Sequence, residues 1–252
     1  MATSTRSAPG PSAPRPRRST NRAPLGVPLF VLNLKVYERC LGAAAVEIGR
    51  AFEGQLATAG VPGAIAPAAP DLGLLARRLR VPVIAQHADP QEAGPFTGYI
   101  VPEAIAAAGG RGSLVNHSEH PVPLESIPAI LQRLDAVGLE AILCSRDVAN
   151  SRELAKFRPR FIAVEPPELI GGTQSVSAAQ PSVVSGTVTA VHEVSPATHV
   201  LCGAGIHDRT DVRRAIELGA EGILVSSAVT RADDPSLAIQ ELLAGFPRPR
   251  LP

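Results

Sequence analysis

A glutamate stands where an apolar run of the chain meets two prolines. The segment from Phe161 to Gln174 reads F-I-A-V-E-P-P-E-L-I-G-G-T-Q, which is typical of a buried strand, a stiff hinge and a mobile flap. A carboxylate at the exit of a buried strand is partly desolvated, and this raises its proton affinity toward that of a useful base. We therefore predict that Glu165 is a catalytic base. The alternative is a surface turn whose glutamate merely ends a strand.

Two further segments end apolar runs on ionisable side chains. In V-L-N-L-K-V-Y, the alternation of a strand places Asn33 and Lys35 on one side, and in S-L-V-N-H-S-E-H it does the same for His117 and Glu119. Taken singly, such a lysine is an edge charge, and such a histidine is more often structural than catalytic. Together with Glu165 they predict one site, because the carboxyl ends of parallel strands converge on the active face of an α/β barrel.

The elements that must position these side chains alternate along the chain. Eight short apolar segments predict buried strands: Leu29 to Asn33, Gly63 to Ala66, Val83 to Gln86, Ser113 to Asn116, Glu140 to Cys144, Phe161 to Glu165, His199 to Cys202 and Gly222 to Val225. Helical spacing marks Cys40 to Thr58 and Leu124 to Val137, and Gly219 stands where a helix C-cap is expected. We therefore predict an α/β fold, a single compact (β/α)8 TIM barrel.

Composition is consistent with such a barrel. The 252 residues are 45% apolar and 19% charged, and tryptophan is absent, so small aliphatic side chains must fill the core. The net charge of +1 gives no global field for nucleic acid or a membrane surface, and no apolar stretch reaches transmembrane length. Cys40, Cys144 and Cys202 are widely spaced and odd in number, which predicts buried, reduced thiols in a cytoplasmic protein.

The first residues have a different composition. Residues 1–24 contain five arginines, five prolines and no acidic residue, which predicts a disordered tail. A transit peptide is the alternative, although no amphipathic helix pattern is present. We predict a tail over 1–24, the barrel over 25–246 and a short C-terminal tail over 247–252.

Three loops offer donors for an anion such as a phosphate. The predicted phosphate-binding residues are Gly171, Gly172, Gly203, Ala204, Gly205, Ser226 and Ser227. The glycine pair 203 and 205 follows a strand and precedes a helix starting near Thr210, where backbone N–H groups and the helix N-terminus favour an anion. A nucleotide-binding interpretation of G-A-G-I-H-D is disfavoured, because Asp208 stands in place of the third glycine.

Other pattern matches are weak. Asn116 begins an N-glycosylation pattern, but nothing else indicates secretion. His117, Glu119 and His120 lack the helical H-E-x-x-H spacing, so we predict no metal site.

The motifs N-L-K, N-H-S-E, V-E-P-P-E-L-I-G, V-L-C-G-A-G-I and L-G-A-E-G-I-L-V resemble those of triosephosphate isomerase of the short archaeal type. The resemblance runs from about Val27 to Leu243. It implies an isomerase of glycolysis and gluconeogenesis that interconverts dihydroxyacetone phosphate and glyceraldehyde 3-phosphate without a cofactor. It also implies a sugar-phosphate substrate and a homo-oligomer, either a dimer or a tetramer.

The same resemblance implies a role for each matching residue. Glu165 matches the base that takes a proton from C1, and His117 matches the neutral imidazole that polarises the C2 carbonyl. The family is a standard example of a carboxylate base paired with a neutral imidazole. Lys35 matches the cation that offsets the charge of the phosphate and the enediolate, with Asn33 and Glu119 orienting the set.

Two segments depart from the family pattern. The flap reads I-G-G-T-Q instead of the usual I-G-T-G, and Ser226-Ser227-Ala228 replaces the usual Ala-Ser followed by a glycine in the last phosphate loop. These departures leave two alternatives open: an isomerase of a four-carbon ketose phosphate, and a non-catalytic barrel that binds phosphometabolites. A binding protein needs no base, so the intact Lys35, His117 and Glu165 argue against the second.

Overall fold

The computed structural model describes residues 23–166 and 181–247. In this part of the chain, one sheet contains seven strands: β1 (Leu29–Asn33), β2 (Gly63–Ala66), β3 (Gly112–Val115), β4 (Glu140–Ser145), β5 (Phe161–Val164), β6 (His199–Cys202) and β7 (Gly222–Val225). Their spatial order is β2-β1-β7-β6-β5-β4-β3, and all pairs are parallel. The predicted TIM-like α/β barrel is confirmed, and all strands end at the same face.

Helices cover the outside of the sheet. They are α1 (Gly42–Ala59), α2 (Leu72–Arg78), α3 (Pro102–Ala107), α4 (Ile127–Ala136), α5 (Val148–Ala155), α6 (Pro181–Val194), α7 (Arg209–Glu217), α8 (Ser227–Thr230) and α9 (Pro235–Leu243). The two predicted helices are present. The first begins after a 3₁₀ turn over Glu38–Cys40, and the second after a 3₁₀ turn over its first predicted residues, Leu124–Ser126. Gly219 follows α7 with φ of +98°, as expected of a C-cap glycine. Among the described residues, no helix is both long enough and apolar enough to cross a bilayer.

The segment predicted as the third strand, Val83 to Gln86, closes the barrel differently. It forms one isolated parallel bridge to each neighbouring strand instead of a regular ladder. At the bridge to β2, the Ile65 N–H donates to the Pro82 carbonyl at 2.9 Å. The next ladder steps on either side need N–H groups from Pro67 and Pro82, which proline lacks. The ladder therefore stops after a single step.

Small aliphatic side chains fill the barrel interior, as predicted. Along β1, Leu29 and Val31 point inward, whereas Phe30 and Leu32 pack against the helices. Asn33 continues the inward row at the carboxyl end of the strand and is itself buried. The three cysteines are free and buried, and burial raises the pKa of the Cys202 thiol to about 12.

The amino-terminal end of the barrel is closed by the first described residues. Leu25 is buried in the interior cluster, and its N–H donates to a carboxylate oxygen of Glu140 at 2.7 Å. Arg160 pairs with Glu140 and donates to the Leu25 carbonyl at 2.6 Å. Arg111 donates to the Ala23 carbonyl at 2.6 Å. Residues 23–25 therefore pack with the barrel, whereas the predicted tail up to residue 22 lies outside the described residues.

These contacts predict different outcomes for two truncations. Deleting residues 1–22 is expected to leave the melting temperature and the activity unchanged. Deleting residues 1–25 exposes the amino-terminal end of the barrel interior and removes the bonds of the Glu140 and Arg160 side chains to the Leu25 backbone. The cost is expected to be about 2–5 kcal/mol of unfolding free energy, the range for a buried leucine. Denaturant unfolding of both proteins measures this difference, and equal stabilities would contradict it.

Candidate active site

One cavity opens where the strands end. Its lining comes from the residues that end or follow β1, β3, β5, β6 and β7: Asn33, Lys35, His117, Glu165, residues 203–207 and residues 224–227. Among the described residues predicted to take part, only Glu119 lies outside this lining, and it contacts Lys35. The predicted flap glycines, Gly171 and Gly172, lie outside the described residues.

Glu165 and His117 meet at the wall of this cavity. Glu165 directly follows β5, and its N–H donates to the Ser145 carbonyl at 2.7 Å. Its side chain is buried, and its Oε1 lies 3.3 Å from Nε2 of His117. The other carboxylate oxygen, Oε2, makes no hydrogen bond of normal geometry among the described residues, although the carboxylate also interacts with the buried Cys144 thiol, whose pKa is raised by burial and further by this carboxylate. This arrangement leaves one oxygen of a desolvated carboxylate available to accept a proton.

The surroundings of His117 define which nitrogen carries its proton. The Glu119 N–H donates to Nδ1 of His117 at 3.1 Å, so Nδ1 is an acceptor. In the neutral ring the proton must then sit on Nε2, the nitrogen that points toward Glu165. A neutral imidazole in this tautomer can donate a hydrogen bond to an oxygen in the cavity.

The pKa of His117 follows from opposing effects. Burial is the largest and lowers the pKa, but the hydrogen bond to Glu165 and the charges of Glu165 and Glu119 together outweigh it. The charge of Lys35 opposes them, and the net result is a pKa raised above the ordinary value. The imidazole is therefore neutral, as an electrophile requires, on the alkaline side of this raised pKa.

Replacing Glu165 should move this pKa in a known direction. In Glu165→Gln, the imidazolium loses both its hydrogen-bonded carboxylate and the negative charge, so the pKa of His117 is expected to fall. A pH titration of the ring resonances of His117 by NMR measures the shift. An unchanged or higher pKa would show that Glu165 does not interact with the ring in solution.

Lys35 is held in an unusual backbone conformation beside the cavity. Its φ is +50°, a value that costs a non-glycine residue energy unless neighbours stabilise it. The Lys35 N–H donates to Oδ1 of Asn33 at 3.0 Å, and Gln86 donates to the Lys35 carbonyl at 3.0 Å. The ammonium group lies 2.5 Å from a carboxylate oxygen of Glu119. Gln86 was not predicted as a site residue, since a side chain that bonds backbone carbonyls leaves no motif in the sequence.

Asn116, a second residue with left-handed backbone geometry, sets the direction of the His117 side chain. Leu114 on β3 faces the barrel interior, so simple alternation would place His117 on the outside. Asn116 has φ of +62°, and this breaks the alternation. Its side chain donates to the Cys144 carbonyl at 3.0 Å and accepts from the Val122 N–H at 3.2 Å. Asn116, considered in the sequence only for glycosylation, thus fixes the turn that carries the imidazole.

The loop after β6 differs from expectation in two respects. The Gly203 N–H donates to the Val164 carbonyl at 2.9 Å, so the strand ladder already uses this donor. A Cβ at Gly203 would lie 2.4 Å from the Cγ of Glu165, so the glycine makes room for that side chain. At the start of α7, the Asp208 carboxylate accepts from two backbone N–H groups, those of Thr210 and Asp211. The Asp208 carboxylate therefore occupies the N-terminus of α7. This differs from the prediction that the same N-terminus helps to bind the substrate anion.

Donors for an anion remain in the two loops after β6 and β7. Ala204 and Gly205 line the cavity, and Gly205 adopts φ of +62°. Ser226 and Ser227 face the same cavity from the end of β7. The Ser226 hydroxyl oxygen is buried without a hydrogen-bond partner among the described residues. A buried hydroxyl of this kind is stabilised when a ligand supplies its partner.

Comparison with known proteins agrees with this geometry. Residues 28–243 match the model of the family described as "Triosephosphate isomerase". The chain is 41% identical over 219 residues to the triosephosphate isomerase of Methanosarcina barkeri, covering 87% of this chain and 99% of that protein. Identity to the triosephosphate isomerase of Methanothermus fervidus is 43% over 216 residues, which is 86% of this chain and 97% of that protein. For that of Methanocaldococcus jannaschii it is 42% over 215 residues, 85% of this chain and 98% of that protein.

Proposed function

The chain belongs to the triosephosphate isomerase family, and from this premise we propose that Glu165, His117 and Lys35 perform its reaction. The protein is an isomerase that interconverts dihydroxyacetone phosphate and glyceraldehyde 3-phosphate. The roles of individual residues are our proposal. The observation that carries it is the contact between the buried carboxylate of Glu165 and Nε2 of His117, 3.3 Å apart at the cavity wall.

Glu165 is the base in this proposal. The hydrogens on a carbon next to a carbonyl are acidic enough for a desolvated carboxylate to remove one, which leaves an enediolate. Oε2 of Glu165 is buried, and it makes no hydrogen bond of normal geometry among the described residues. It is therefore the oxygen that we assign to the proton transfer.

His117 and Lys35 stabilise the charge that develops on the substrate oxygens. The Nε2–H of the neutral His117 ring donates to the carbonyl oxygen and then passes protons between the two enediolate oxygens. Lys35 supplies a fixed positive charge, and its contact with Glu119 holds the ammonium group beside the cavity. Preorganised donors at a developing oxyanion are usually the largest catalytic term, about 3 kcal/mol for each.

The phosphate is assigned to the loops after β6 and β7. Ala204 and Gly205 offer backbone N–H groups, and Ser226 offers a buried hydroxyl that has no hydrogen-bond partner among the described residues. Ser227 adds a second hydroxyl at the start of α8. Gly171 and Gly172 of the flap remain proposed ligands, outside the described residues.

A coupled assay tests the function as a whole. Purified protein is given dihydroxyacetone phosphate or a four-carbon ketose phosphate, and each aldose product is followed with a dehydrogenase. Turnover of the triose phosphate, at a rate well above that of the tetrose, is expected. Preference for the tetrose would instead support the alternative that Ser226 and Ser227 changed the substrate, and absence of both activities would contradict catalysis.

We also propose that the protein is a cytoplasmic homo-oligomer. A groove beside Lys35 is lined by apolar side chains, including Val36, Leu72, Tyr99 and Ile105. Val36 is 72% exposed and Tyr99 is 48% exposed, which is high for apolar residues next to a cavity. Light scattering should give a mass of at least twice the 26.1 kDa of one chain, and a mass near 26.1 kDa would contradict the proposal.

A further inference from the structure

The turn that carries His117 has a second support, on a neighbouring loop. The rings of His87 and His120 are stacked, with an interplanar angle of 7° and centroids 3.9 Å apart. His87 follows the bridging segment Val83 to Gln86, and His120 ends the turn that begins at His117. Both histidines line the groove beside Lys35 and not the substrate cavity. They are therefore placed to act through another residue.

His87 is the fixed member of this stack. It is buried, and its Nε2 lies 3.1 Å from a carboxylate oxygen of Asp89. Asp89 is in turn paired with the far end of its loop, because its N–H donates to the Ile100 carbonyl at 2.8 Å. The Ile100 N–H in turn donates a hydrogen bond to the Asp89 carboxylate at 2.6 Å. The His87 ring is thus held by an aspartate that links both ends of the loop, and the ring offers a flat surface to His120.

His120 connects the His87 ring to the catalytic imidazole. The His120 N–H donates to the His117 carbonyl at 2.8 Å, and this bond closes the turn. Inside the same turn, the Glu119 N–H donates to Nδ1 of His117 and defines its tautomer. A displacement of His120 would therefore move the backbone donor that sets the direction of Nε2.

The surroundings of the stack favour a neutral His120 ring. Burial, followed by repulsion from His87, lowers the pKa of His120, whereas the Asp89 carboxylate opposes both. Lys35 and Glu119 form an ion pair in the same groove. An uncharged His120 ring stacks on His87 without charge–charge repulsion, so the contact persists at neutral pH.

We propose that the stacking of His120 on His87 positions the imidazole of His117 for catalysis. The inference rests on the proposed role of His117 and adds two positioning residues to it. Neither histidine touches the substrate. Their effect is to keep the turn in the one arrangement in which Nδ1 accepts from Glu119 and Nε2 faces the cavity.

Two substitutions of His120 separate stacking from other effects. His120→Ala removes the ring, and we expect kcat to fall on the order of tenfold with KM changed by less than about twofold, since small misplacements of a catalytic group are costly. His120→Phe restores a flat ring, and most of kcat is expected to return. His192→Ala is the control for removing a histidine ring elsewhere, because this ring on α6 contacts the Thr198 carbonyl at 3.2 Å, outside the active face.

Three readouts make the result decisive. NMR of the His117 ring should show a mixture of tautomers in His120→Ala and the single Nε2–H tautomer in His120→Phe. Melting temperature and oligomeric mass should stay the same in both. The proposal is overturned by an unchanged kcat in His120→Ala, by an equal loss in His120→Phe, or by a loss that accompanies a lower melting temperature or an altered mass. Wild-type turnover and its dependence on Glu165 are measured separately, so failure of the stack is distinguishable from failure of the proposed active site.

Discussion

Replacing Glu165 by glutamine is expected to lower the isomerase turnover number by about 10²-fold to 10⁴-fold, the usual effect of losing a general base. The amide has nearly the same shape as the carboxylate but does not accept a proton from carbon. Because Gly203 leaves room for this side chain, the packing around it should not change. Binding of a phosphorylated substrate analogue and the melting temperature should stay close to those of the unaltered enzyme.

The chain offers a matched control for this substitution. Glu221 and His199 form a second glutamate–histidine pair, 3.0 Å apart, at the amino-terminal end of the barrel. Glu221→Gln removes the same charge from the same kind of contact, and turnover should be unaffected. A Glu165→Gln enzyme that turns over as fast as Glu221→Gln would remove Glu165 from the role of base.

Replacing Lys35 by methionine is expected to lower kcat/KM by about 10²-fold to 10³-fold, the scale for losing a preorganised charge donor. Methionine keeps a long unbranched side chain at this left-handed position but carries no charge. Glu119 is 54% exposed, so water can solvate its carboxylate once the ammonium partner is gone. The loss should therefore appear in catalysis and substrate binding and not in stability.

Lys156 provides the corresponding control. It pairs with Glu153 at 2.6 Å, close to the length of the Lys35–Glu119 pair, but it lies just after α5 on the outside of the barrel. Lys156→Met should leave kcat/KM unchanged, since an exposed ion pair contributes little. If Lys35→Met and Lys156→Met have equal kinetics, the ammonium group of Lys35 does not stabilise the reacting substrate.

Several features of the site were predictable because strand ends obey simple geometry. Buried apolar runs identify the strands, and in a parallel barrel the residues after them must share one face. The sequence therefore placed Asn33, Lys35, His117 and Glu165 near one another before any contact was known, and the structure brings all four to one cavity. Their catalytic roles stay predictions until the substitutions are measured.

Other features could not be anticipated, or were misjudged, for identifiable reasons. Gln86 and Asn116 act by bonding backbone carbonyls and amides from distant strands, and such bonds depend on tertiary placement. Stacking of His87 on His120 likewise joins two loops that are separate in sequence. The capping role of Asp208, by contrast, was visible in the sequence, because aspartate is a preferred N-cap residue.

Isomerisation in deuterium oxide tests the central claim most directly. A proton taken from carbon by Glu165 exchanges with solvent on the carboxyl group, so an enediolate mechanism leaves deuterium on carbon. We predict carbon-bound deuterium at C2 of glyceraldehyde 3-phosphate formed by the unaltered enzyme, with its rate of appearance reduced in Glu165→Gln in parallel with turnover. Product that contains no carbon-bound deuterium, or deuterium that enters at the same rate in Glu165→Gln, would contradict the assignment of Glu165 as the base.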